Sequence, residues 1–207
     1  MRGNWFEGWR LFAVLMLTLT ALSLWMAGLR AFDVDGVRMV IRFTAKTSLL
    51  FFCLAFSAAA LWRLWPNAWT HWQRRNRRYL GVAFAGSHGI HAIAVIAFAV
   101  TDPAGFASVT SASTFIFGGI GYAIIIAMTA TSFSRTARAI GPRAWRILHL
   151  AGGYFLWAQF IVSFGKRVPG MPLYALFLIP LFAVMAARLI AMASSRSTRR
   201  ADLTPVA

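Results

Sequence analysis

Apolar residues in this chain come in runs long enough to cross a bilayer, which takes about 20 residues of helix. Six stretches qualify: 11–29, 47–65, 79–101, 111–133, 146–164 and 171–192. Each break between them is chemically marked. Asp33 and Asp35 fall in the first, and Pro66 with the run Arg74, Arg75, Arg77, Arg78 in the second. Asp102-Pro103 marks the third, Gly141-Pro142 within 135–146 the fourth, and Lys166-Arg167 with Pro169-Gly170 the fifth. Gly and Pro punctuate chains because they permit or force turns. The pattern predicts an all-α integral membrane protein: one six-helix bundle over residues 1–207, ending in a basic tail at 193–207.

Composition agrees. Of 207 residues 59% are hydrophobic and 13% charged, about half the charged share of a soluble domain. The net charge of +16 raises the question of nucleic acid. The arginines, however, lie in short clusters between apolar runs, with no basic domain to meet a phosphate backbone. They read as topology charge instead. Fifteen of the Lys and Arg residues fall on the side of the two termini and six on the other, which places the N-terminus and the C-terminus in the cytoplasm. The first apolar run exceeds a signal peptide's core and lacks a small-x-small cleavage site, so it reads as a retained helix.

Tryptophans Trp5, Trp9, Trp25, Trp62, Trp65, Trp69, Trp72 and Trp145 fall near predicted helix ends, as interfacial anchors do. The stretch 65–78 reads as a segment lying among lipid headgroups. The lone cysteine, Cys53, permits no disulfide or thiolate cluster and reads as a small buried hydrophobe.

An ionisable group inside a membrane is costly, so each one is a candidate for function. Glu7, Asp33, Asp35, Asp102 and Asp202 all fall outside or at the edges of the predicted spans. This argues against carboxylate-based proton coupling, and so against a small transporter, and it leaves hydrolase chemistry without a candidate acid and base. Histidine remains. His88 and His91 are three residues apart on the third span and share a face, in a stripe with Gly81, Phe84 and Val95 that should look into the bundle. His149 lies near the start of the fifth span, followed by Gly152, Gly153, Gln159 and Ser163. His71 reads as a solvated interfacial residue.

A buried neutral imidazole is the usual protein ligand of haem iron; it also serves as a plain interhelical hydrogen-bonding group. Depth tests whether two of these histidines could share an iron. At about 1.5 Å per residue, His88 lies about 13 Å and His91 about 18 Å past Tyr79, and His149 about 5 Å past Arg146. The His88–His149 mismatch is about 8–9 Å on that rise, so no clean axial pair emerges.

Three stretches carry a family resemblance: Thr44-Ala45-Lys46-Thr47, then Arg77-Arg78-Tyr79-Leu80-Gly81 leading to His91, then Gly141-Pro142-Arg143-Ala144-Trp145-Arg146-Ile147-Leu148-His149. In order and spacing, over about 43–188, the chain resembles the ferric-reductase-like transmembrane family, most of all the haem-binding membrane subunits of bacterial methionine-sulfoxide reductase systems. The resemblance implies haem b held by histidines of the third and fifth helices in a bacterial inner membrane. It also implies electron flow from a cytoplasmic flavin donor or a quinol to a periplasmic acceptor, through a partner. His91 matches the third-helix ligand and His149 the first fifth-helix histidine. The second, thirteen residues later, falls on Val162, which has no lone pair to offer iron.

Three arrangements therefore stay open: iron on His91 alone or with His88, Gln159 or Ser163; a haem between His88 and His149; or a haem-free subunit that scaffolds a larger membrane complex. The segments between spans are too short for a nucleotide-binding domain, so any reductase activity relies on a partner.

Overall fold

The computed structural model describes residues 6–201, with side chains to residue 194. Trp5 and the charged side chains of the basic tail lie outside the described residues. Seven α-helices, and no strand, occur among the described residues: α1 Gly8–Gly28, α2 Val34–Leu64, α3 Ala68–Thr101, α4 Pro103–Val109, α5 Ala112–Ala130, α6 Ser134–Gly165 and α7 Leu178–Ala201. A 3-10 turn, Pro172–Phe177, leads into α7. Six of these helices, the last taken with its 3-10 turn, are long and apolar enough to cross a membrane, and α4 is a short extra helix of about two turns after the third span.

The helices begin where side chains can satisfy their free N–H groups. Asp33 accepts from Gly36 N at 2.7 Å to start α2. Asn67 and Thr70 bond reciprocally, each at 3.0 Å, in a capping box that starts α3. Asp102 accepts from Gly105 N at 2.9 Å to start α4. Asp33 and Asp102 thus lie at one end of the bundle, here the Asp-capped end. Arg74, Arg75, Arg77 and Arg78 lie at the other, the Arg-rich end.

The spans are longer than the apolar runs suggested. α2 has 31 residues and α3 has 34, about 46 and 51 Å against about 30 Å of hydrocarbon. Arg38, Arg42 and Lys46, expected in a loop, are in α2, and the expected headgroup-level segment 65–78 is mostly the first three turns of α3. In α6, residues expected in the fourth loop are helical up to a break at Gly141, whose φ of 78° and ψ of 162° belong to a region that is essentially glycine-only. Pro142 then starts the membrane-crossing part of the helix, where its missing N–H costs nothing.

Helix α2 is the hub. Leu49, Phe52 and Phe56 on α2 meet Phe84 of α3, Leu156, Phe160 and Phe164 of α6 and Leu181 of α7 in one buried cluster. Trp157 Nε1 donates to Leu181 O at 2.9 Å, tying α6 to α7.

Candidate functional site

Helices α2 and α3 are joined along a polar seam inside apolar surroundings. Thr44, Thr47 and Ser48 recur at i, i+3 and i+4 on α2, which stacks them on one face. They face Ser87 and His91 of α3. Ser48 Oγ donates to Ser87 Oγ at 2.9 Å, and Ser87 Oγ donates to Thr44 O at 3.2 Å. Thr47 Oγ1 lies 2.9 Å from Ser87 Oγ. Thr44, Ser48 and Ser87 are fully buried. In lipid such contacts fix depth and rotation where apolar contacts between helices do not.

His91 is held by this seam. Its Nδ1 lies 3.1 Å from Ile41 O and 3.1 Å from Thr44 Oγ1. A carbonyl can only accept, so Nδ1 carries the proton. Thr44 spends its own proton on Val40 O at 2.7 Å, leaving its oxygen free to accept from Nδ1. This hydrogen-bond network assigns the neutral tautomer in which Nε2 presents a lone pair. Nε2 makes no hydrogen bond among the described residues. A backbone carbonyl on one ring nitrogen and a free second nitrogen is the usual support of a metal-ligating histidine.

His88 stacks on His91, with ring centroids 5.2 Å apart and planes 22° apart. Phe84, Tyr122 and Phe160 pack around it at 5.1–6.4 Å. Its Nδ1 is buried without a partner. Two rings stacked directly on each other leave no room for a porphyrin between them, so His88 and His91 are not an axial pair.

His149 belongs to a different layer. Its Nε2 lies 3.1 Å from Thr131 Oγ1, whose proton goes to Ala127 O at 2.7 Å, so His149 donates. Trp145 Nε1 donates to Thr131 O at 3.0 Å, and the Trp145 and His149 rings stack at 4.3 Å. Together they clamp the last turn of α5. Tyr122, in the His88 layer, precedes Thr131 by nine residues of α5, about 13 Å along the axis. The separation is larger than the sequence suggested, and His88 and His149 cannot bind one iron. Val162, where the resemblance would place a second histidine of α6, is 47% exposed; it lies off the core face of α6 that Phe160 and Phe164 define.

No family model, curated protein or solved structure matches this chain. The site must therefore be judged on its own donors. No group of three or more His, Cys, Asp or Glu gathers among the described residues to hold a bare metal ion. A haem would need an imidazole nitrogen from the chain, and His91 would offer one with a suitable tautomer and support. His149, with Nε2 given to Thr131, does not. The histidines stand out in the sequence, whereas Thr44, Ser87 and Tyr122 do not stand out as their neighbours. The i, i+3, i+4 spacing of Thr44, Thr47 and Ser48 was the available signal.

Proposed function

We propose that this multi-pass protein is a transmembrane electron-transfer protein that carries one b-type haem on His91. The supporting observation is the His91 environment: a seam-fixed ring, a protonated Nδ1 and an unclaimed Nε2 inside the bundle. When bound, a haem supplies a one-electron couple. The chain's own residues do the rest: His91 offers its lone pair, Thr44 and Ile41 hold the ring's orientation, and Phe84, Tyr122 and Phe160 keep water from the layer. In this reading the protein has both termini in the cytoplasm of a bacterial inner membrane. It takes electrons from a cytoplasmic or quinol donor, with flavin supplied by a partner, and passes them to a periplasmic acceptor.

A second reading is a haem-free subunit that scaffolds a larger membrane complex. The clamp role of His149 and the outward position of Val162 favour it. Absorption spectra and a pyridine haemochrome assay on purified protein separate the two. The first reading expects a Soret band in the wild type, lowered at least about tenfold in His91→Ala and retained in His149→Ala. A wild type without haem that co-purifies with a larger assembly would establish the second.

A further inference from the structure

Six Lys and Arg residues belong to the side of the chain that carries less positive charge, against fifteen on the other. The charge bias that sets orientation therefore does not account for them. Three of the six, Arg38, Arg42 and Lys46, recur at every fourth residue in the first half of α2, a spacing that keeps them neighbours on the helix surface. They stop where the apolar run 47–65 begins, the depth at which hydrocarbon gives way to headgroups.

The three are held differently. Arg38 lies over the Phe98 ring of α3, 5.4 Å from its centroid. Lys46 is exposed, and its ammonium stands over two rings that precede α7, 5.4 Å from Phe177 and 5.9 Å from Tyr174. Arg167 lies over the same Tyr174 ring at 5.5 Å and donates to its hydroxyl at 3.4 Å. Tyr174 is buried, so it fixes where the Lys46 ammonium stands. A ring face attracts an ammonium but leaves its three N–H donors for an oxygen ligand. Arg42 is exposed as well. Neither Arg42 nor Lys46 has an acidic partner among the described residues, where the one ion pair joins Arg75 to Glu7.

Arg42 and Lys46 line one cavity. It opens between the end of α1 and the first half of α2, has a volume of about 230 Å³, and is completed by Met26, Met39 and Phe43. Two flexible thioethers and a ring make an apolar wall that adapts to hydrocarbon, and two cations one helical turn apart stand beside it. Such a pairing fits an amphiphile. The guanidinium fork and the ammonium suit the oxygens of a phosphate, the wall suits an acyl chain, and basic pockets between spans are known seats of anionic headgroups. A soluble anion would use the cations and leave the wall unused.

We propose that Arg42 and Lys46 seat the phosphate of an anionic phospholipid in this cavity between α1 and α2, at the Asp-capped end. The test is native mass spectrometry of the full chain, delipidated in neutral detergent and titrated with phosphatidylglycerol or phosphatidylcholine, reading the first lipid bound. Phosphatidylglycerol should bind at least about fivefold more tightly, because choline offsets the phosphate of the other lipid. Arg42→Gln and Lys46→Gln should each weaken it about fivefold and the double variant about thirtyfold. Both side chains are exposed, so neither change empties a packed site. Arg135→Gln with Arg138→Gln removes the same charge from exposed positions of α6 and should alter binding less than about twofold. Inorganic phosphate at the lipid's concentration should not displace it. Equal binding of the two lipids overturns the site, as does a loss no larger in the α2 double variant than in the α6 one. Displacement by inorganic phosphate gives the cavity to a soluble anion and overturns the lipid.

Discussion

Helix pairs α2–α3 and α5–α6 both hold half-buried histidine, yet they hold it by different means. Half of the apolar stretch of α2 is buried, 50%, against 11% for α5, so α5 faces lipid over most of its surface. Along α2–α3 the contact is a polar seam of Thr44, Thr47, Ser48, Ser87 and His91 that runs through the interior. Along α5–α6 the polar bonds concentrate at one end, on Thr131. Elsewhere Gly152 lets α6 approach Ile124 and Met128. Between helices in lipid, apolar contact supplies no net hydrophobic drive, and hydrogen bonds and close packing decide register. The first pair is therefore locked in depth and rotation, and a ligand on His91 would find the same geometry in every molecule. The second pair is fixed at its turn.

The largest effect should come from breaking the lock. Ser87 is fully buried and touches three partners. Ser87→Leu inserts a larger side chain, which costs about 1–3 kcal/mol in a packed interior, and strands the Ser48 hydroxyl, adding roughly 1 kcal/mol. Unfolding of the variant in detergent should show a loss of about 3 kcal/mol, near the sum of those terms. A loss below about 1 kcal/mol would mean the seam does not set the pair's register. A smaller effect is expected at the entry to the crossing part of α6. A Cβ on Gly141 would meet nothing within 4 Å, so Gly141→Ala tests backbone conformation alone. Holding a non-glycine residue at that φ and ψ costs about 2 kcal/mol, read as a fall in Tm of about 6 °C. An unchanged Tm would show that the break relaxes without penalty.

How much of this was legible in the sequence depends on the residue. The six spans and their breaks at Asp33, Asp102 and Pro142 follow from hydropathy and turn chemistry, because lipid demands apolar runs and helices demand caps. The true ends of α2 and α3 did not follow. Hydropathy marks where hydrocarbon stops, whereas backbone hydrogen bonding continues through Arg38, Arg42 and Lys46 and back through Arg74 to Arg78. The shared face of His88 and His91 was readable from their spacing. The stacking that bars them from one iron was not, since it depends on rotamers set by Phe84, Tyr122 and Phe160. The inward turn of Arg188, whose Nη1 donates to Phe56 O at 2.8 Å, was equally hidden, because the same sequence allows it to snorkel.

The smallest effect belongs to the α5–α6 clamp and is the sharpest check on the comparison. Thr131→Val removes the acceptor of the His149 Nε2 bond but leaves the Thr131 carbonyl, which Trp145 still holds. One interhelical hydrogen bond in a membrane contributes about 0.6 kcal/mol, so Tm should fall by about 2 °C. The ring should respond more than the fold does. With its acceptor gone, His149 Nε2–H loses its anchor and the tautomer is no longer fixed, which ring-nitrogen chemical shifts would report. Thr44→Val is the matched change in the other pair. There Ile41 O still accepts from His91 Nδ1 at 3.1 Å, so the His91 shifts should stay put. If both rings lose their tautomer together, the seam holds His91 no better than the clamp holds His149, and the proposed haem site loses the fixed lone pair it rests on.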